Sequence, residues 1–301
     1  MNFKKTKIFI IFISIFIIIS FFYPYFYEFN KFKILFFDVG EGDSIFIKTP
    51  HNKTFLIDGG GTSQKDRKSP GIRVLDSLKR IGINKIDYLL FTHEDSDHIE
   101  GLLHIVKRED VKYLLYPSCP INSYGIDLIK ILEKRDTKIY KLKRGDDFEI
   151  DNLKIFVINP QDGGKDYLRA NDNNNSLCVL LKYENFKILL TGDIENEVIE
   201  EIYNLYPDLI SNVDIFKIPH HGSKNSFSTK FYDLLDPKIS ILSVGPNNFN
   251  HPSKEIIDYL KSLNSEIYNT QFNGAIEIEI NKNKLKVKTY NFSDMIINLF
   301  D

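Results

Sequence analysis

The segment Ile86–His98, IDYLLFTHEDSDH, joins a mostly apolar run directly to a polar loop with two histidines and three carboxylates. The run indicates a buried strand, and residues on a tight loop at its end can converge on one point. Imidazole nitrogens and carboxylate oxygens are ligands of divalent metals. The predicted metal ligands of this loop are His93, Asp95, Asp97 and His98. Four ligands exceed what one ion takes from one loop, so we expect two adjacent ions. The alternative is a solvated acidic loop in which Asp97 caps a helix beginning at His98.

Two later apolar runs also end in metal-binding side chains. LLTGD ends at Asp193, and IPHH ends at His220 and His221. In a sheet whose strands are nearly in register, such ends lie on one edge and can face one another. The two carboxylate oxygens of Asp193 suit it to bridge two ions about 3.5–4 Å apart.

From Lys33 onward the pattern is one of short apolar runs separated by turns, with helical spacing between them. Strands dominate and helices are interspersed, which favours an α/β fold of two sheets sandwiched between helices, a four-layer αββα sandwich. The predicted strands are 33–40, 43–49, 53–61, 86–93, 111–116, 137–142, 153–158, 176–183, 186–193, 213–223, 238–245, 274–280 and 284–290. The predicted helices are 72–81, 98–106, 126–133, 195–205, 227–235 and 253–263.

The N-terminus predicts a membrane anchor. Lysines precede the uncharged segment Ile8–Tyr27, which is close to the ~20 residues that cross a bilayer as a helix. No small-residue cleavage site follows, so an uncleaved anchor is favoured over a signal peptide and over a buried core helix. The lysines should remain cytoplasmic. We therefore expect residues 1–30 to form a single-pass anchor in the cytoplasmic membrane and residues 31–301 an extracytoplasmic domain.

The composition limits which partners and which kinds of metal or disulfide site the chain can have. The formal net charge is −2, so no overall basic field indicates a polyanionic partner. A chain with this net charge can still have a local basic groove. The two cysteines, Cys119 and Cys178, provide neither a disulfide framework nor a cysteine-rich zinc site.

The ordered motifs LIDGG, THEDSDH, TGD, PHHGS and HPS resemble the metallo-β-lactamase fold. Together with FFDVGEGDSIFI and NNNSLCVLL they are similar, more closely, to the C-terminal domain of ComEC-type competence (DNA-uptake) proteins. The resemblance extends from about Lys33 to Ile280. Full ComEC proteins also have a many-helix channel and an oligonucleotide-binding-like domain, in place of which we expect the single anchor.

The resemblance implies a binuclear metal centre. Its first site would have His93, Asp95 and Asp193, with Asn175 or Ser176 and water. Its second site would have Asp97, His98, Asp193 and one of the PHHGS histidines. The broad family has a histidine at the position of Asp95 and another between the first motif and TGD. Here no histidine lies between His104 and His220. Oxygen-rich ligation favours Mn²⁺, with Zn²⁺ as the alternative.

The resemblance also implies residue roles. His221 would be the ligand and His220 would contact a substrate oxyanion, although the reverse assignment stays open. His251 would contact a phosphate or donate a proton, which places it with Asp97 and His220 among the predicted catalytic residues. Asp58 would orient the metal loop without binding metal. Ser223 and Lys224 would receive phosphates, and a solvated loop explains these two equally well.

The implied activity is metal-assisted hydrolysis, with DNA phosphodiesters as the first choice of substrate and the cytoplasmic membrane as a partner through the anchor. Two alternatives remain at this level. One is a hydrolase acting on a lactone, a β-lactam or a phosphocholine-type ester. The other is a non-catalytic, competence-related binding protein.

Overall fold

The computed structural model describes residues 12–16, 20, 31–61, 69–162 and 172–290. Most of the predicted anchor, Ile8–Tyr27, lies outside these residues. Among the helices that are described, none has the length and apolar character needed to cross a bilayer.

The described strands form two sheets, which confirms the two-sheet part of the prediction. The first has eight strands in the order β15-β14-β1-β2-β3-β4-β5-β6, and the second has seven in the order β13-β12-β11-β10-β9-β8-β7. The strands are β1 Phe32–Phe36, β2 Ile45–Lys48, β3 Thr54–Ile57, β4 Ile86–Leu90, β5 Val111–Pro117, β6 Lys138–Leu142, β7 Asp147–Ile150, β8 Leu153–Asn159, β9 Cys178–Tyr183, β10 Phe186–Leu190, β11 Ile215–Lys217, β12 Ile239–Leu242, β13 Glu266–Asn269, β14 Ala275–Asn281 and β15 Lys284–Tyr290.

The described α-helices are α1 Pro70–Arg80, α2 Ser96–Val106, α3 Ser123–Glu133, α4 Asn196–Leu205, α5 Pro207–Ile210, α6 Thr229–Leu235, α7 Lys254–Ser262 and α8 Thr270–Asn273. Six of them, α1 to α4, α6 and α7, pack on the outer faces of the two sheets. One apolar core contains side chains of both sheets. A second core joins the first sheet to α1, α2 and α3, and a third joins the other sheet to α4, α6 and α7. This is the helix–sheet–sheet–helix order of the predicted sandwich.

Some short elements have no counterpart in the sequence prediction. Strands β7 and β13 and helices α5 and α8 each have four residues. Strand β7 is half-buried or exposed at every position, so it lacks the apolar run that marks a core strand. Helix α2 begins at Ser96 rather than at His98.

The start of α2 is pressed against the loop that follows β3. Gly59 N donates to His98 O at 2.8 Å, and Gly101 N donates to Gly60 O at 2.8 Å. A Cβ atom on Gly101 would lie 1.8 Å from the carbonyl oxygen of Gly59, so only glycine permits this approach. The contact holds the end of β4 and the first turn of α2 against the Asp58 loop.

Candidate metal centre

The predicted metal ligands come together where loops from both sheets meet. His93 follows β4 of the first sheet, whereas Asp193 and His221 follow β10 and β11 of the second. Asp193 and His221 follow adjacent parallel strands and therefore lie on one edge of the second sheet, as expected, whereas the His93 loop reaches them from the first sheet. The site lies across the top of the sandwich, because the carboxyl ends of these strands open toward the same end of both sheets.

Asp58 orients the first of these loops. Its Oδ1 accepts a hydrogen bond from Thr92 N at 2.8 Å, and its Oδ2 accepts from Thr92 Oγ1 at 2.7 Å. His98 Nδ1 donates to the same Oδ2 at 2.8 Å. The carboxylate therefore fixes the ring of His98 so that Nε2 is directed into the site, which is the kind of contact that the predicted supporting role requires.

The PHHG turn separates its two histidines. His220 and His221 have φ values of 48° and 52°, in the left-handed region that costs energy for non-glycine residues. Their ring planes are inclined by 76° to each other. His221 Nδ1 donates to Ser243 O at 2.7 Å, which leaves its Nε2 directed toward the carboxylates. The turn therefore presents one imidazole to the metal ligands and the other to the rim.

Four side chains form a compact ligand cluster. Ligand atoms of Asp97, His98, Asp193 and His221 all lie within 4.8 Å of one another. His221 Nε2 lies 3.2 Å from Asp97 Oδ2 and 3.2 Å from Asp193 Oδ2. Among the described residues, the buried His98 Nε2 and Asp193 Oδ1 have no hydrogen-bond partner. Buried polar atoms are rarely left unpaired, so this donor set fits a divalent metal.

The predicted first site, around His93, has longer distances between its ligand atoms. His93 Nε2 is buried without a hydrogen-bond partner in the described part of the chain, and it lies 3.6 Å from Asp95 Oδ2. Asp95 is the N-cap residue of α2 but its side chain makes no capping hydrogen bond, so the carboxylate remains directed to His93. Asn175 Oδ1 is also buried and unpaired among the described residues, and it lines a small pocket with His93. Binding of the first ion by these three side chains stays a prediction.

Ser176 supports Asp193. Its Oγ accepts a hydrogen bond from Asp193 N at 3.0 Å. Gly192 has a φ of 55°, and a Cβ there would lie 2.8 Å from Ser176 Cβ. The glycine of TGD thus allows the turn that brings the Asp193 carboxylate over the cluster.

The side chains of the cluster also form a set of buried ion pairs. Burial alone would lower the pKa of His221, but Asp193 and Asp97 raise it to about 10. The pKa of His98 is also raised well above its usual value, against the effect of burial, by Asp193, Asp97 and Asp58. Conversely, these imidazolium rings overcome burial and lower the pKa values of Asp97 and Asp193. The carboxylates therefore stay ionised, and the protonated rings of His98 and His221 balance their charge.

Lys217 is a residue of the site that the sequence analysis missed. It is fully buried in β11, and its Nζ lies 2.5 Å from Asp43 Oδ2 and 3.7 Å from Asp193 Oδ1. Asp43, Asp58 and His98 also lie close enough to hold an ion, but the lysine ammonium already supplies the cation beside Asp43. The available signal was a single lysine inside an apolar strand, two residues before PHH.

Two further histidines lie beside the cluster, each against a glutamate. His251 Nδ1 lies 3.1 Å from Glu41 Oε1, and Glu41 Oε2 accepts from Gly245 N at 3.2 Å. His220 Nδ1 lies 3.1 Å from Glu195 Oε1, at an angle unsuited to a regular hydrogen bond. The two imidazole rings are 5.4 Å apart. The histidines were predicted from sequence, but the glutamates were not, since only the fold brings Glu41 to His251.

The remaining predicted substrate contacts differ in placement. Ser223 is buried, and its Oγ accepts from Asn225 N within the turn at 3.3 Å. Lys224 is exposed on that turn. The hydroxyl of Ser223 thus has a local structural partner, and contact of either residue with a substrate remains a prediction.

Comparison with known proteins agrees with this geometry. Residues 37–245 match the family model described as the metallo-beta-lactamase superfamily. ComE operon protein 3 of Bacillus subtilis is 32% identical over 253 residues, which cover 80% of this chain and 32% of that protein. Recombination protein 2 of Haemophilus influenzae is 25% identical over 256 residues, which cover 83% of this chain and 29% of that protein. The chain thus spans about a third of the length of these ComEC-type competence proteins.

Solved structures show the same fold. Tm1679, described as a metal-dependent hydrolase of the beta-lactamase superfamily, superposes with a TM-score of 0.55. It is 13% identical, and the match covers 83% of this chain and 100% of that chain. At this identity the likeness extends to the fold alone.

Proposed function

Because the chain belongs to the metallo-beta-lactamase superfamily, we propose that it is a metal-dependent hydrolase that cleaves phosphodiester bonds of DNA. The observation that carries the proposal is the pair of rim histidines, His220 and His251, whose rings lie 5.4 Å apart beside the ligand cluster. A phosphodiester has charged oxygens that accept hydrogen bonds and an alkoxide leaving group that needs a proton. Two imidazoles beside a metal centre can meet both requirements.

The two rim histidines would have different tasks. Glu41 accepts from Nδ1 of His251, so the Nε2 of that ring is the atom that can hold and deliver a proton. Burial lowers the pKa of His220, which favours its neutral form. A neutral imidazole can donate a hydrogen bond to a phosphoryl oxygen without releasing its proton. We therefore assign proton donation to His251 and oxyanion contact to His220.

The ligands would be divided between two ions. Asp97, His98, Asp193 and His221 would hold one, and His93, Asp95, Asn175 and the shared Asp193 would hold the other. When bound, two divalent ions polarise a phosphoryl oxygen and lower the pKa of the attacking water. The set that includes His93 is rich in oxygen, which favours Mn²⁺ over Zn²⁺. Similarity to ComEC-type proteins supports DNA as the substrate.

A substrate panel tests the proposal. Purified protein is loaded in turn with Mn²⁺, Mg²⁺ or Zn²⁺ and assayed on plasmid, linear and single-stranded DNA. A lactone, a β-lactam and a phosphocholine ester are assayed in parallel. We expect hydrolysis of DNA with Mn²⁺ and its loss in Asp193→Ala. Turnover of one of the other esters or of the β-lactam, with intact DNA, would replace this function by the other hydrolase class. Metal binding without any turnover would indicate a binding protein.

We further propose that Ile8–Tyr27 anchors the chain and leaves the hydrolase on the outer face of the cytoplasmic membrane. The lysine-flanked apolar sequence supports this orientation. Protease added to intact protoplasts should digest residues 31–301. Complete protection, with digestion only after lysis, would refute the orientation.

A further inference from the structure

An exposed aromatic side chain stands at the rim of the metal centre. Phe249 is 71% exposed, although residues of this type are usually buried. Its ring lies 5.6 Å from the ring of His251, with the two planes inclined by only 30°. The phenylalanine is thus backed by one of the two rim histidines and presents its ring to solvent.

The loop that carries Phe249 is held in one conformation. The side chain of Asn247 accepts from Phe249 N at 2.9 Å and from His251 N at 3.1 Å. It donates to Gly245 O at 2.9 Å and to His251 O at 2.8 Å. These four hydrogen bonds span the loop, so the backbone that carries the aromatic ring is ordered before any ligand arrives. Ordering it in advance reduces the entropy lost on binding.

The ring of Phe249 lies near the place where the reacting phosphodiester would bind. The ring of His251 is close to both Phe249 and the ligand His221, at centroid distances of 5.6 Å and 6.5 Å. Phe249 is therefore within about two ring contacts of the ligand cluster, near enough for the nucleoside next to a bound phosphodiester to reach it. A flat aromatic face at that place can stack on any base, because every base has a π-face.

We propose that Phe249, backed by His251, forms a stacking subsite for the unpaired nucleobase next to the scissile phosphate. This inference rests on the proposed function and deepens it, because a base can stack there only when it is unstacked from a duplex. The preferred substrate is then single-stranded DNA or a frayed end.

Binding experiments on the full-length chain in non-ionic detergent test the subsite. The probe is a short fluorescein-labelled oligodeoxythymidylate in EDTA, with the matching duplex for comparison. Phe249→Ala should weaken single-strand binding about 5- to 100-fold, the usual effect of losing one stacked base. Phe249→Tyr should bind like the wild type. Phe249→Leu, which keeps an apolar group but no aromatic face, should bind like the alanine variant.

The chain offers a matched control. Phe272 is also 71% exposed, and among the described residues its ring contacts no site histidine. Phe272→Ala should bind the single strand like the wild type. Equal losses in both alanine variants, or full affinity of Phe249→Leu, would overturn the stacking subsite. The latter result would mean that an apolar side chain without an aromatic face is sufficient for binding the single strand.

The two proposals fail in different ways. If the wild type with Mn²⁺ hydrolyses DNA while Phe249→Ala keeps its single-strand affinity and KM, only the stacking subsite is refuted. If Phe249→Ala loses affinity but no protein hydrolyses DNA, the nuclease function is refuted and the base-binding site stands.

Discussion

His98 and Asp58 form a completely buried pair in which Nδ1 donates to Oδ2 at 2.8 Å. The two residues are 40 positions apart in the chain, and the pair joins the loop after β3 to the first turn of α2. Because Nδ1 is engaged, only Nε2 of His98 can bind a metal. The geometry of the ligand cluster therefore depends on a carboxylate that does not itself enter it.

Asp58→Asn should weaken metal binding without removing a ligand. The amide cannot match the charge and acceptor capacity of the carboxylate, so the orientation and basicity of His98 are lost. Replacing such a supporting group typically costs about 10- to 100-fold in metal affinity. Competition with a chromogenic chelator measures this change. Asp87→Asn is the control, because Asp87 is also buried and also accepts hydrogen bonds from a threonine, Thr54, away from the site.

Asp193→Ala should lose most of both ions. Asp193 Oδ2 lies 3.3 Å from His98 Nε2 and 3.2 Å from His221 Nε2, while Oδ1 has no hydrogen-bond partner among the described residues and lies 3.7 Å from Lys217 Nζ. This arrangement suits a carboxylate that bridges two ions. Elemental analysis should give about two equivalents per chain in the wild type. Full metal content in the variant would rule out the bridging role.

The alanine variants of the two PHHG histidines should lose activity for different reasons. His221→Ala removes an imidazole nitrogen 3.2 Å from two carboxylates of the cluster and should lower the occupancy of that site. His220→Ala should keep both ions but reduce the single-turnover rate by about 10²–10³, the usual effect of removing an oxyanion donor. Metal stoichiometry measured beside the rate decides the assignment, and the opposite pattern would reverse it.

Lys217→Met should destabilise the fold. The substitution keeps the length of the side chain but leaves the Asp43 carboxylate buried without its cation. Breaking a buried pair in this way costs about 3–5 kcal/mol. Urea denaturation of the metal-free protein measures the change. Lys238→Met is the control, since Lys238 pairs with Asp214 at 2.7 Å but has a side chain that is 76% exposed, and such pairs contribute about 0–1 kcal/mol. Equal losses in the two variants would contradict the special role of Lys217.

Metal binding should release protons. The pKa of His221 is raised to about 10 in the folded, metal-free protein, and that of His98 is raised as well. Protonation of His221 therefore stabilises the metal-free fold fully below pH 6.5, its usual pKa, and this contribution is lost as the pH rises through about 10. Metal affinity should follow the opposite trend and increase over that range, because the ion requires neutral imidazole.

Calorimetry in buffers of different ionisation enthalpy measures this release. At pH 7 we expect about two protons per binuclear centre, from His98 and His221. His221→Ala should release one fewer. A heat of binding that is independent of the buffer would mean that both rings are already neutral.

The sequence alone determined that this chain builds two sheets with a metal site at the strand ends. The predicted ligands are grouped in short polar segments that follow apolar runs, and the alternation of strand and turn is a local property that neighbouring residues specify. This is why Asp95, Asp97 and Asp193 could be identified before any contact was known. Strand β13, with only Asn269 buried among its four residues, had too weak a local pattern to be found.

Tertiary structure decided what each side chain does. Nothing local distinguishes His220 from His221; positive φ angles at both, and the Ser243 carbonyl that holds one ring, turn them in different directions. The partners of Lys217 and His251, Asp43 and Glu41, lie at the other end of the chain. Hydrogen bonds and ion pairs act over a few ångströms, so pairs separated by more than 170 residues exist only once the two sheets have packed together.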